Sequence, residues 1–292
     1  MSQQILFNKI CIIGVGLIGG SLARALRQSN AVKHIVGCGR DEANLKRAVE
    51  LGVIDQYELE PAQAVLNADA VVLAVPLGAM TDIMQQISAN LPEHCLLTDV
   101  GSAKTSVVES AESVFNILPK NFVPAHPIAG TEKSGVEASF AELFQNRRVI
   151  ITPTANSQKE FIELTRNMWR AVGADVVETD IQHHDDVLAA TSHLPHMLAF
   201  SLVDTLARRD DRKEIFDYAA GGFSDFTRIA SSDPDMWHDI CLANQSALLK
   251  SLEQFSETLT GLTKAVRESD SEFLKQTFQR AKEARDTFCD KK

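Results

Sequence analysis

The stretch Lys9-Ile10-Cys11-Ile12-Ile13-Gly14-Val15-Gly16-Leu17-Ile18-Gly19-Gly20-Ser21-Leu22 decides the fold. Its apolar run, Ile10 to Ile13, stops at Gly14-x-Gly16-x-x-Gly19, and a helical pattern opens behind it through Leu22, Ala25 and Leu26. Strand, glycine turn and helix in this order make a dinucleotide-binding loop. Gly14 serves the tight turn, Gly16 lets the backbone approach a pyrophosphate, and Gly19 lets the helix pack close to the strand. The helix N-terminus offers free N–H groups and a partial positive charge to phosphates. Gly14, Gly16, Leu17, Ile18 and Gly19 are therefore the cofactor-binding residues expected here. A glycine-rich turn without a ligand is the plainer alternative.

The rest of the chain supports a soluble two-domain protein. Its 292 residues carry 29 basic and 39 acidic side chains, a net charge of −10, with 45% hydrophobic residues. That charge argues against nucleic acid or an anionic membrane as the main partner. An anionic ligand must be held by locally placed cations. The five cysteines are scattered, with no CxxC or Cys/His metal spacing. They read as reduced, mostly buried thiols of a cytoplasmic protein. No apolar run reaches the roughly 18–20 residues needed to span a bilayer.

Working outward from the loop, strand and helix alternate. Strands are expected near Val32–Cys38, Ala70–Val75, Cys95–Thr98, Phe122–Ala125, Arg148–Thr152 and Asp175–Glu178, with an amphipathic helix over Gln158–Val172. Such alternation means an α/β fold with a mostly parallel, doubly wound Rossmann-type sheet. The character changes near Asp180, so the expected domains are 1–180 for the dinucleotide and 181–292, all-α, for substrate and dimerisation. Turn signals in the second half stand at Asp210-Asp211, Gly221-Gly222 and Asp233-Pro234. Leu248, Leu252, Phe255, Leu259, Leu262 and Val266 keep heptad-like spacing. They suit either packing within that domain or a helical homodimer interface.

The second strand bears on which dinucleotide is used. In the common NAD pattern an acid ends that strand and binds the ribose 2′-OH. Here Gly39 stands at that place and Arg40 follows. Loss of the carboxylate removes its repulsion of a 2′-phosphate, and a guanidinium can pair with that phosphate. NADP is favoured over NAD on this reading. If the strand runs two residues further, Asp41 becomes the NAD-type acid.

Candidate catalytic groups gather at the carboxyl ends of the strands, where ligands of open α/β sheets bind. Val75, the last residue of the third strand before Pro76, is expected to bind the cofactor there. Ser102, after the fourth, either caps the next helix or contacts substrate or nicotinamide. His126 stands in Pro124-Ala125-His126-Pro127, its backbone fixed by two prolines. Imidazole titrates near neutrality and can take the proton of an alcohol as hydride leaves the same carbon. His193 and His196, in Thr191-Ser192-His193-Leu194-Pro195-His196, share a helical face, with Pro195 bending the helix. A metal pair, two core histidines and a pocket lining remain open for them, and no third metal ligand matches. Arg228, in Asp225-Phe226-Thr227-Arg228-Ile229-Ala230, is either a bidentate clamp for a carboxylate or one half of a structural ion pair.

Taken together, these segments resemble the prephenate/arogenate dehydrogenase family, also called cyclohexadienyl dehydrogenases. The resemblance rests on Gly14–Ser21, Asp99–Lys104, His126–Gly135 with Thr191–His196, and Asp225–Ala230, in that order along the chain. It implies NAD(P)-dependent oxidative decarboxylation of a cyclohexadienol, prephenate or arogenate, in tyrosine biosynthesis. It also implies roles. His126 accepts the hydroxyl proton and Ser102 orients hydroxyl and nicotinamide. Arg228 binds a substrate carboxylate, His193 and His196 line the pocket, Glu132 modulates access and Trp237 packs near the site. A homodimer through the helical domain is implied as well. The sequence departs from many NAD-using relatives at Gly39, and from some relatives at Ser224, where they carry a basic residue. A β-hydroxyacid dehydrogenase is the rival enzyme, but no lysine stands between Lys159 and Lys213 to serve as its catalytic base. A non-catalytic NADP-binding protein is the rival of a different class.

Overall fold

The computed structural model describes residues 5–131 and 133–289. Five parallel strands form the first sheet in the order β3-β2-β1-β4-β5. They are β1 (Phe7–Ile13), β2 (Val32–Cys38), β3 (Gln56–Glu58), β4 (Ala70–Leu73) and β5 (Leu96–Asp99). Crossovers run through α1 (Leu17–Gln28), α2 (Glu42–Glu50), α3 (Pro61–Ala64) and α4 (Met80–Ile87). The strands are apolar on both faces because helices cover both. Ile10, Ile12, Ala70, Val72 and Leu96 enter one core with Leu22 and Leu26 of α1. Cys11, Ile13, Val71, Leu73 and Leu97 enter another with Met80, Met84 and Ile87 of α4. This is the double burial that all-parallel sheets require, and each fully buried isoleucine stabilises by about 2 kcal/mol.

The register sets Ile13, Leu73 and Asp99 abreast at one end of the sheet. The crossovers from β1 and from β4 leave in opposite directions at this edge. That makes it the switch point where open α/β sheets bind ligands.

The expected single strand near Phe122–Ala125 is instead divided. Its first part makes one parallel bridge, Leu97 to Phe122. Its second part is β6 (Ala125–Pro127), antiparallel to β7 (Arg148–Ile151), which runs parallel to β8 (Asp175–Glu178). Pro124 explains the division, because it has no N–H for a ladder bond. His126 thus lies within β6 rather than beyond a strand. Between β5 and β6 runs α5 (Thr105–Phe115), and between β7 and β8 runs α6 (Lys159–Ala171). α6 buries Phe161, Thr165, Met168 and Trp169.

Beyond β8 the described residues hold helices only. They are α7 (Ile181–Leu188), α8 (Leu194–Ala207), α9 (Arg212–Asp217), α10 (Gly221–Thr227), α11 (Pro234–Ala243), α12 (Gln245–Glu268) and α13 (Ser271–Cys289). Gly221-Gly222 opens α10 instead of making a turn. Asp233 caps α11 by accepting the Met236 N–H at 2.9 Å. The bend expected at Pro195 is taken up by one π-helical turn, Ala189–His193, between α7 and α8. The chain divides into two compact units between Gln245 and Ser246. In the second unit, Ser269 (φ 55°) turns the chain and Asp270 caps α13 by accepting the Phe273 N–H at 3.0 Å.

Candidate active site

The loop after β1 has the shape a pyrophosphate needs. Gly14 takes φ +99°, and a Cβ there would lie 2.2 Å from the carbonyl oxygen of Ala74, so only glycine fits beside the end of β4. A Cβ on Gly19 would lie 2.1 Å from the Gly14 oxygen. A Cβ on Gly16 meets nothing within 4 Å, so open space lies ahead of α1. The first turn of α1 has no side-chain cap and no acid. Its N–H groups at Leu17, Ile18 and Gly19 therefore suit an anion. Val75 is adjacent, its N–H 3.1 Å from a Cβ built on Gly14. A dinucleotide fits these residues.

β2 ends at Cys38, and Gly39 follows. A Cβ on Gly39 would meet only the methyls of Leu45 at 3.8 Å, ordinary contact. Asp41 caps α2, accepting the Asn44 N–H at 3.1 Å. Arg40 is exposed between them.

At the end of β5 lies a fully buried pair. Lys104 Nζ donates to Asp99 and, at 2.8 Å, to the Ala125 carbonyl. Asp99 also accepts the N–H of Gly101 at 2.7 Å and of Ala125 at 3.1 Å. The pair pins β5 to the residue before His126. Burial pushes the Lys104 ammonium down, and the Asp99 charge opposes that push.

Ser102 does not cap α5. The cap comes from α7: Asp185 accepts the N–H groups of Lys104 and Thr105, each at 2.8 Å. The same carboxylate lies 2.8 Å from Nδ1 of His184, whose Nε2 lies 2.9 Å from Nδ1 of His126. Burial works to raise the Asp185 carboxyl, but bonds from His184, Thr105 and Lys104 outweigh it and hold it low. Burial, with the charges of His184, Lys104 and His193, holds His126 well below the usual imidazole range.

A second cluster adjoins the first. The Asn244 amide donates to the Asp185 carbonyl at 2.9 Å, so its nitrogen is settled, and it stands 3.2 Å from Nδ1 of His193. His193 must accept there, which leaves its Nε2 carrying the proton. That buried N–H has no partner among the described residues, nor has Trp237 Nε1. Burial brings His193 down to about 4. Trp237 stacks on His196 at 3.7 Å between centroids and meets His193 edge-on at 6.1 Å. Asp239 ties α11 to the turn after β4 by accepting the Gly78 N–H at 3.1 Å. Arg228, at the end of α10, is close enough for its charge to lower His196, after the larger effect of burial.

Comparison with known proteins decides the family. Residues 22–178 match the family described as prephenate dehydrogenase, nucleotide-binding domain, and residues 180–280 match prephenate dehydrogenase, dimerization domain. The chain is 37% identical to the cyclohexadienyl dehydrogenase of Zymomonas mobilis, over 96% of this chain and 95% of that protein. It is 36% identical to the prephenate dehydrogenase of Bacillus subtilis, over 96% of this chain and 76% of that one. The crystal structure of prephenate dehydrogenase from A. aeolicus, in complex with hydroxyphenyl propionate and NAD+, superposes with a TM-score of 0.89. That protein is 38% identical, and the match covers 98% of this chain and 99% of that one. The chain belongs to the prephenate dehydrogenase family. It is an NAD(P)-dependent oxidoreductase of the prephenate/arogenate type, in tyrosine biosynthesis. Synechocystis arogenate dehydrogenase shares the fold at a TM-score of 0.80 and 28% identity, over 96% of this chain and 99% of that one.

In this prephenate dehydrogenase fold, the structure brings His126, His193, His196 and Trp237 together, with Arg228 near His196. Gly14, Gly16, Leu17, Ile18, Gly19 and Val75 line the loop at the switch point, and Gly39 and Arg40 stand at the end of β2. Glu132 lies outside the described residues. Sequence reasoning passed over His184, Asp185 and Asn244. A signal existed for two of them: Ile181, His184, Asp185 and Leu188 occupy i, i+3, i+4 and i+7 of α7, a core face. His184, Asp185 and Leu188 are buried. Polar residues on such a face require partners.

Proposed function

We propose that this chain oxidises a cyclohexadienol carrying a ring carboxylate, prephenate or arogenate, with NADP as the favoured acceptor and His126 as the base. The carrying observation is one buried imidazole in β6, next to Ala125, which bonds Asp99 at the carboxyl end of β5; it is tied on Nδ1 to the chain behind it and held unprotonated at neutral pH. With its pyrophosphate held by the glycine loop, a bound dinucleotide would supply the hydride acceptor through its nicotinamide. His126 takes the hydroxyl proton as the carbon bearing it loses hydride. It returns the proton to the ring oxygen once the carboxylate has left as CO2 and its bonding pair has entered the ring. A weak base suffices, because the hydroxyl becomes strongly acidic as hydride leaves.

His193 presents its N–H as a neutral donor, and Trp237 presents a second. Arg228 supplies the cation that a substrate carboxylate needs in a chain of net charge −10. Ser102, half-buried in the turn after β5, is assigned to orient the hydroxyl and the nicotinamide. His196, stacked on Trp237, lines the ring's side of the pocket, and Glu132 modulates access. Gly39 and Arg40 support NADP, and Asp41 is occupied as a helix cap. The functional division falls near residue 180, with residues 181–292 serving substrate binding and homodimer formation. The match to a dimerization domain and the exposed Leu259 and Val266 of α12 support the dimer. The cytoplasm is the compartment proposed.

Steady-state turnover of prephenate and of arogenate, each with NAD and with NADP, tests this reading. Reduced cofactor and CO2 should form in equal amounts with NADP and one or both substrates. No turnover in all four combinations contradicts it.

A further inference from the structure

The bonds behind His126 decide which of its nitrogens is basic. Asp185 is fully buried and accepts two backbone N–H groups. Its carboxyl is held low, so it is ionised and can only accept. The 2.8 Å contact with His184 Nδ1 is therefore donation from His184. Burial lowers His184, which is neutral at neutral pH. A neutral imidazole with its proton on Nδ1 has its lone pair on Nε2. That lone pair faces His126 Nδ1 at 2.9 Å, so His126 must donate there in turn.

We infer that His184 and Asp185 are positioning residues: the chain Asp185–His184–His126 fixes the proton of His126 on Nδ1 and its basic lone pair on Nε2. The inference rests on the reading of His126 as the base. A histidine in water favours the opposite tautomer, with its proton on Nε2 and no acceptor there for a hydroxyl. The chain removes that choice. Its Asp185 end is anchored twice: the carboxylate holds the first turn of α5, and the Asp185 carbonyl receives the Asn244 amide. The site is thereby preorganised, not assembled when substrate arrives. Interposing a neutral imidazole also has an electrostatic result. A carboxylate directly on His126 would raise its pKa strongly. One ring removed, it orients the base and still supports the imidazolium formed in the reaction.

The test uses the full chain labelled with 15N-histidine, with His126 assigned by comparison with His126→Asn. At neutral pH, two-bond 1H–15N spectra should show the unprotonated nitrogen of His126 at Nε2. An unprotonated Nδ1 overturns the inference. Kinetics give a second reading. His184→Gln keeps an oxygen that can accept from His126 Nδ1, whereas His184→Leu does not. His184→Leu should lose about 10² in kcat at unchanged KM, and His184→Gln should stay within about tenfold of the wild type. Equal losses in the two variants overturn the inference. A wild type that turns over no cyclohexadienol would refute the proposed function instead, and the 15N pattern would still decide the tautomer.

Discussion

Asn244 holds His193 as a hydrogen-bond acceptor at Nδ1, 3.2 Å from its amide nitrogen. The ring is buried, and its pKa falls from 6.5 to about 4. The consequence for stability has a definite sign. Above pH 6.5 the ring is neutral in both folded and unfolded chains and contributes no pH dependence. As pH falls below 6.5 the unfolded chain takes the proton first, so stability is lost until the folded ring also titrates near 4. The wild type should lose on the order of 3 kcal/mol more across this window than His193→Asn, by denaturant unfolding at several pH values. Asp185 acts lower, below its ordinary 3.8, and does not mask the effect. Parallel curves for the two proteins would remove His193 as the cause.

The proposed preference for NADP can be tested at one position without a side chain. A Cβ at Gly39 finds only ordinary contact with Leu45, so Gly39→Asp should fold normally. The new carboxylate can accept a ribose 2′-OH and repels a 2′-phosphate. A charged hydrogen bond of about 1.5–3 kcal/mol corresponds to a shift of roughly 10- to 100-fold in kcat/KM toward NAD over NADP. An unchanged ratio of the two would show that the end of β2 does not read the ribose.

Arg228 is assigned to substrate binding and not to the chemical step. Arg228→Ala should raise KM for the cyclohexadienol by about 10² and lower kcat far less. Arg228→Lys keeps the charge but not the planar fork, and should fall between the two. An unchanged KM in the alanine variant would contradict the clamp.

The parts of the fold that burial dictates locally are legible in the sequence. β1, β4 and β5 are short, apolar and covered on both faces, and the glycine loop announces itself by spacing. The edge strand β3 is Gln56-Tyr57-Glu58, polar and paired on one side only, so no apolar pattern marks it. The break at Pro124 depends on which neighbours the chain meets on either side. The candidate bases were legible as histidines among prolines. The burial of His184 and Asp185 behind them could be read from the spacing on α7, but their pairing could not, because the partners of Asp185 on α5 lie 80 and 81 residues away. Ser102 illustrates the same point. Its position suits a cap, yet a distant carboxylate takes that place.

The most direct test of the account is the pH profile of NADP-dependent prephenate and arogenate oxidation by the wild type and by His126→Asn. For the wild type, kcat/KM should stay level through neutral pH. It should fall only on an acid limb below the usual imidazole range, where burial and neighbouring charge place His126. His126→Asn should bind cofactor normally, lose at least about 10² in kcat, and show no such limb. A variant with near-normal kcat, or one that keeps the acid limb, would contradict the assignment of His126 as the base.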